Sequence, residues 1–217
     1  MSSFLSVILS VVLFGGLHSL LASRQAKDFS ARRFGVRQQR AFYRIFYIGQ
    51  SFVALAVLWA PIRRLPDRVL YRIRGPLAAL LRLGQLAGFG YAVYAAATVG
   101  MGRITGLASL LAWLRGERVI PPVPEAQGPA PHPRRPGLNT GGPFRFHRHP
   151  LNFAPLPIFW LNPLMTLKLL AFNLAATVYL VLGSIHEESR LLAAYGKAYR
   201  RYQNSQAPFY MPSTGKE

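Results

Sequence analysis

The chain has 217 residues, 51% of them hydrophobic, and carries 26 Lys and Arg against seven Asp and Glu for a net charge of +19. No cysteine is present, which excludes disulfides, thiolate metal sites and cysteine nucleophiles. The charge invites a nucleic-acid partner, but no base-reading motif accompanies it and the basic residues fall between apolar blocks, where they face lipid headgroups. No nucleic acid is expected.

Ser3 to Ala22 is a 20-residue run without charge, about 30 Å as a helix and so the thickness of a bilayer core. Basic residues follow the run instead of preceding it, and further apolar runs come later, so it reads as a spanning helix and not as a cleaved leader. Arg24 to Arg44 then holds seven basic residues against Asp28 alone and reads as a cytoplasmic loop. A second span is expected over Phe42 to Ala60, with Tyr43 and Tyr47 at one interface, Trp59 at the other and Pro61 closing it. Pro61 to Gly75 is a second basic loop, whose five arginines leave the positive-inside rule only weakly decided. Leu77 to Ala97 predicts a third span. Ile104 to Trp113 is too short to cross and reads as interfacial or re-entrant. Pro121 to Gly137 is too dense in proline for any regular element.

The last apolar stretch is Pro150 to Leu161, interrupted by Asn162-Pro163 and resumed as a helix from Leu164 to Ile185. Together these predict a helical hairpin that ends an all-α polytopic membrane protein of about five transmembrane helices. Three regions follow: 1–120 with the N-terminal spans, the proline-rich loop 121–137, and a binding region 138–217.

Chemistry concentrates at the two ends of that hairpin. Arg145, His147, Arg148 and His149 crowd against Pro150, which suits the first helical turn because its missing N–H is no loss there. Free N–H groups at that helix mouth, with Arg148 beside them, make a seat for a carboxylate; anchoring to headgroups is the plainer alternative. Two of the seven acids, Glu187 and Glu188, stand side by side at the far end. There they oppose the helix dipole and repel one another, so they need cations, either from nearby Arg190, Arg200 and Arg201 or from a ligand.

The segments "TGGPFRFHRHPLNF" and "HEESRLLAAYGKAYRRYQNSQAPFYMP" resemble the C-terminal signature of the integral membrane methyltransferases related to isoprenylcysteine carboxyl methyltransferase and phospholipid methyltransferases. The matching positions are Gly142, Pro143 and Phe144, then Arg148, His149 and Pro150, then Glu187 and Glu188, then Tyr195, Gly196, Tyr199, Tyr202 and Pro212. "GGLHSLLASRQAK" and "FYRIFY" further resemble the NnrU-like and methanethiol S-methyltransferase-like branch. Asn152 stands where the family often has a tyrosine, and Phe144 replaces another.

The resemblance implies a methyltransferase that uses S-adenosylmethionine on a small or lipophilic acceptor, in a bacterial inner membrane with the cofactor pocket on the cytoplasmic side. Gly142, Pro143, Arg148, His149, Pro150, Glu187 and Glu188 are then the cofactor-binding residues: Arg148, His149 and the helix mouth for the carboxylate, Glu187 or Glu188 for the ammonium or ribose. His149 and Asn152 are the catalytic candidates, His18 and Tyr43 the acceptor-side ones, and no metal is expected. The competing reading is a haem-binding NnrU-like protein or isomerase, with His18 and either His149 or His186 on the iron.

Overall fold

The computed structural model describes residues 2–122, 124, 126–131, 136–205 and 207–210. Pro212 of the signature lies outside the described residues, as do positions 123, 125 and 132–135 of the proline-rich segment. The protein is mostly helical with almost no sheet, and its segments form two compact units. One comprises Met1–Ile73, Gly102–Val123 and Leu164–Tyr179, the other Arg74–Met101, Pro124–Pro163 and Leu180–Glu217.

In the first unit, α1 (Ser3–Ala22) opens on Ser2, whose hydroxyl accepts the Leu5 N–H. Its large side chains remain outside: Leu5, Val12, Leu13 and Leu20 are all more than half exposed, an apolar surface that lipid and not water can face. The stretch expected as a basic loop is instead helical. Ser23 ends α1 and caps α2 (Arg24–Phe34), accepting the Ala26 N–H at 3.2 Å, and Gly35, at φ +88°, turns the chain into α3 (Val36–Ile62). The reason is composition: Arg, Lys, Gln and Ala favour helix, and Ala26, Phe29 and Phe34 recur at helical spacing. Tyr43 and Tyr47, expected at the interface, are buried in helix packing.

Several of the basic residues serve that packing. Arg44 Nε donates to Ile104 O at 2.6 Å, Arg37 Nη1 to Glu117 O at 2.8 Å and Arg40 Nη1 to Ile120 O at 3.5 Å. They hold α5 (Met101–Thr105) and α6 (Leu107–Leu114). The single short helix expected over Ile104 to Trp113 is divided at Gly106, whose φ of +82° favours glycine and where a Cβ would meet Arg44 Cβ at 2.8 Å.

β1 (Val69–Arg72) lies between α3 and α4 (Gly75–Val99) in sequence and pairs antiparallel with β2 (Leu164–Thr166), with Val69 opposite Thr166 and Arg72 opposite Leu164. The last long helix, expected from Leu164, therefore begins three residues later as α9 (Leu167–Tyr195). Asp67 Oδ1 accepts the Lys168 N–H at 3.1 Å, and Lys168 Nζ donates to Ile62 O and Leu65 O. These bonds satisfy groups that a helix start and a helix end both leave open.

In the second unit, α4 packs against α7 (Pro150–Phe153) and α8 (Pro155–Trp160). Close approach depends on two glycines. A Cβ on Gly84 would meet Leu161 Cδ1 at 2.5 Å, and one on Gly88 would meet Pro157 Cγ at 2.9 Å. The helical arm expected over 150–161 is thus two short helices, because Pro155 and Pro157 lack N–H groups to continue a ladder from α7. After α9, Gly196 at φ +50° sets off α10 (Lys197–Gln203). Among the described residues three helices are long and apolar enough to cross a bilayer, namely α1, α3 and α9. The expected count of about five adds α4, which has 25 residues, and the arm that breaks into α7 and α8.

Candidate functional site

The second unit gathers most of the signature. The chain makes one 3₁₀ turn over Gly142–Arg145, with Pro143 and Phe144 buried. Gly142 has φ +59°, and a Cβ there would stand 3.0 Å from Tyr94 Oη and 3.3 Å from Thr98 Oγ1, so the backbone lies directly against α4. Next come His147, Arg148 and His149, and Pro150 occupies the first turn of α7 as expected. That helix has only four residues, too few to add up a useful dipole. The helix mouth expected to seat an anion therefore contributes little, and the task falls to the Arg148 side chain.

Arg148 is held from several sides. Its Nε donates to Glu188 Oε1 at 2.6 Å, its Nη1 to Ala207 O at 3.1 Å and to Gln203 O at 3.4 Å, and its backbone N–H to Pro208 O at 2.9 Å. The guanidinium also lies over the Phe209 ring, 5.8 Å from its centroid. Such a fork is preorganised for planar carboxylates. Among the described residues no acceptor meets Nη2, so one face of the fork is left for another partner.

His149 is 3% exposed and sits between the two glutamates. Its Nε2 is 3.2 Å from Glu188 Oε1 and its Nδ1 3.6 Å from Glu187 Oε2. Burial works against the charged ring, but the hydrogen bonds and charges of both carboxylates outweigh it, and the His149 pKa is raised above the ordinary imidazole value. Glu188 is further bound by Gln203 Nε2 at 3.1 Å and, at 3.5 Å, by the Tyr199 hydroxyl. Asn152 Nδ2 donates to Glu187 Oε2 at 2.9 Å and to Ser184 Oγ at 2.8 Å. The Ser184 hydroxyl lies 2.7 Å from that of Tyr210, and both donate to Leu180 O. Burial raises the Tyr210 pKa to about 12, although the Ser184 contact works the other way, so the phenol keeps its proton. Three atoms of this network, Glu187 Oε1, Gln203 Oε1 and His149 Nδ1, are buried with no hydrogen-bond partner among the described residues.

The structure therefore brings together Arg148, His149, Asn152, Glu187 and Glu188, with Gly142, Pro143 and Pro150 shaping the backbone that presents them. It also adds residues that were not among the expected ones. His147, 2% exposed, bonds through Nε2 to the Tyr91 hydroxyl at 2.6 Å, stacks on that ring and meets Phe153 edge-on at 4.7 Å. Burial, then the charge of His149, push its pKa down to about 4, so it is neutral beside a cation. Its Nδ1 is buried without a hydrogen-bond partner among the described residues. The signature tyrosines Tyr199 and Tyr202 are buried braces, the latter donating to Phe144 O at 2.7 Å. Of the added residues, His147, Gln203 and Tyr210 stood within the quoted segments, whereas Tyr91 and Ser184 gave no local signal.

His18 and Tyr43 belong to the first unit. His18 Nδ1 is 2.9 Å from Ser51 Oγ and its Nε2 bonds to the Tyr47 hydroxyl. With both ring nitrogens engaged, neither is disposed to ligate iron. Tyr43 donates to Leu21 O at 2.6 Å. Among the described residues no group of three or more His, Cys, Asp or Glu could hold a metal ion.

Over about nine-tenths of its length the chain is similar to proteins named methanethiol S-methyltransferase. It is 27% identical over 199 residues to that of Pseudomonas deceptionensis, covering 91% of this chain and 69% of the relative. The first such protein of Bradyrhizobium diazoefficiens is 25% identical over 197 residues, 90% of this chain and 62% of its own. That of Mycobacterium tuberculosis is 29% identical over 204 residues, with 91% and 75% covered. The chain thus spans between three-fifths and three-quarters of the length of these relatives. These likenesses agree with the resemblance to the methanethiol S-methyltransferase-like branch drawn from the motifs. No protein-family model matches the chain, and no solved structure matches it.

Proposed function

We propose that this protein is a membrane-embedded methyltransferase that takes its methyl group from S-adenosylmethionine and passes it to a small thiol. The relatives named methanethiol S-methyltransferase support the reaction class and the size of the acceptor. The observation that carries the cofactor assignment is the buried network of Arg148, His149, Glu187 and Glu188, with one carboxylate oxygen, Glu187 Oε1, lacking a partner among the described residues.

The donor set fits the group. A buried carboxylate oxygen without a donor costs desolvation energy that an ammonium or hydroxyl would recover, and Glu187 Oε1 is such an oxygen. Arg148 Nη2 would meet the carboxylate of the amino-acid portion. Gly142 lets the backbone pass close to whatever lies beside the turn. When bound, S-adenosylmethionine supplies an electrophilic methyl on a sulfonium.

The chain's own residues then position and balance charge, which is where most of a methyl transfer's acceleration lies. Held between Glu187 and Glu188, whose hydrogen bonds and charges raise its pKa above the ordinary imidazole value, His149 orients the carboxylates, and the proton that the thiol loses on methylation passes to solvent. Asn152 fixes Glu187 from the other side, with Ser184 and Tyr210 behind it. Helices α1, α3 and α9, each long and apolar enough to cross a bilayer, support the membrane location; an inner membrane with the site on its cytoplasmic side belongs to the same proposal.

Two measurements test it. Calorimetry on the detergent-solubilised protein should show binding of S-adenosylhomocysteine, reduced more than tenfold by Glu187→Gln, since a charge-assisted bond is worth about 1.5–3 kcal/mol. Headspace analysis with methanethiol and S-adenosylmethionine should show dimethyl sulfide. Absence of both binding and product would overturn the proposal, and a Soret band in the purified protein would replace it with the haem reading.

A further inference from the structure

The first unit contains a feature that the proposed cofactor network does not use. Between α2 and the first turns of α3 runs an apolar trough of ≈ 610 Å³, walled by Leu21, Phe29, Phe34, Phe42, Tyr43 and Phe46. Phe29, Phe34 and Phe46 are each more than half exposed. Among the described residues no carboxylate lines it, and the Tyr43 hydroxyl at its wall donates to Leu21 O. The trough therefore offers mostly apolar contact, with Ser30, Gln38 and Gln39 as the other polar side chains of its lining, which suits a hydrocarbon chain.

Its rim supplies the opposite chemistry. Arg32 and Arg33 occupy the last turn of α2, and the Arg33 guanidinium lies 5.6 Å from the centroid of the Phe34 ring that walls the trough. Among the described residues neither arginine meets a carboxylate, and Asp28 is the only acid between positions 24 and 44. By contrast, Arg37, Arg40 and Arg44 of the same segment are committed to backbone carbonyls of 104–120. A basic amphipathic helix with aromatics on its apolar face is the arrangement that lies at an anionic membrane surface. Here the helix also encloses a cavity. We infer that the trough seats one anionic phospholipid, an acyl chain against Phe29, Phe34, Phe42 and Phe46 and its phosphodiester at Arg32 and Arg33.

Trp113 provides the readout, because its ring meets Phe42 edge-on with centroids 4.9 Å apart. In the full chain carrying Trp59→Phe and Trp160→Phe, Trp113 is the sole indole. That protein is reconstituted in phosphatidylcholine vesicles containing a minor fraction of phosphatidylglycerol brominated on its chains. A matched set carries the bromine on the same fraction of phosphatidylcholine and leaves the phosphatidylglycerol plain. Brominated phosphatidylglycerol should quench Trp113 at a mole fraction lower by a factor of about five or more, the order expected from each arginine near an anionic headgroup. Arg32→Gln with Arg33→Gln should bring the two lipids together, and added inorganic phosphate should leave the preference in place. Equal quenching by the two lipids before any arginine is changed overturns the inference, as does a preference that survives the double substitution. Reversal by inorganic phosphate overturns it in favour of a soluble anion.

Discussion

Replacing Glu188 by Gln tests how the ionic network holds the second unit together. The glutamate receives Arg148 Nε at 2.6 Å, Gln203 Nε2 at 3.1 Å and His149 Nε2 at 3.2 Å. The substitution keeps the shape but leaves a buried guanidinium and a buried imidazolium with one fewer anion. Breaking a buried pair costs about 3–5 kcal/mol; the side chains of Arg148 and Glu188 are 16% and 18% exposed, so solvent screens part of this and the lower end applies. About 3 kcal/mol corresponds to a fall in Tm of roughly 6–12 °C for a chain of this size. The assay is thermal unfolding in detergent followed by circular dichroism. Glu117→Gln serves as the control, since its pair with Arg115 spans 4.0 Å between side chains 48% and 70% exposed, and exposed pairs contribute little. Removing both charges, Arg148→Met with Glu188→Leu, should regain more than half of the loss, because no charge is left uncompensated. The reasoning fails if Glu188→Gln melts like the Glu117→Gln control, or if the double variant is less stable than Glu188→Gln.

The two buried histidines should shape the pH profile in opposite directions. His147 titrates near 4 in the folded chain against about 6.5 unfolded. Between those values only the unfolded chain binds the proton, so stability falls on acidification by up to about 3 kcal/mol, and His147→Gln should flatten that acid limb. His149, raised in the folded state, contributes stability that is fully present below about pH 6.5 and lost as pH rises through its folded pKa; His149→Gln should remove that alkaline decline. Melting curves from acid to alkaline pH check both, and limbs unchanged by the substitutions would refute the assignments. Gly142→Ala should cost about 1–2 kcal/mol from the left-handed backbone, plus a clash with Tyr94 Oη, 3.0 Å from the new Cβ. Adding Tyr94→Phe should recover the clash but not the backbone part; recovery of the whole loss in the melt would show that the glycine serves clearance alone.

Local pattern and tertiary choice separate cleanly in this chain. The run from Ser3 to Ala22 has one physical solution, and α1 occupies those residues. The segment Arg24–Arg44 has two, because charge density suggests a solvated loop while the spacing of Ala26, Phe29 and Phe34 suggests an amphipathic helix. The helix prevails because it packs against α3, while Phe29 and Phe34 wall the open trough beside it. Likewise, nothing near Leu164 announces a strand. The three residues Leu164–Thr166 pair with Val69–Arg72, more than ninety positions away, and that partner decides their conformation. His147 and Tyr91, 56 positions apart, could not have been joined by any local rule.

The site shows a subtler limit. Arg148, His149, Glu187 and Glu188 were legible as charged groups too concentrated for a plain membrane segment. From sequence, the cations and the anions were each assigned a separate end of the ligand. In a buried site that separation is unstable, since an isolated charge away from water costs several kcal/mol, and the network resolves it by turning Arg148 and His149 onto the glutamates. On the proposed reading, what remains for a ligand is the residue of that pairing: Glu187 Oε1, without a donor among the described residues, and the open side of the Arg148 fork. Recognition of this kind depends on which individual atoms are left over once neighbours have been satisfied. Those atoms are fixed by Asn152, Ser184, Gln203 and Tyr210, side chains with no charge to mark them in a sequence and with partners between 26 and 35 residues away for Ser184 and Asn152.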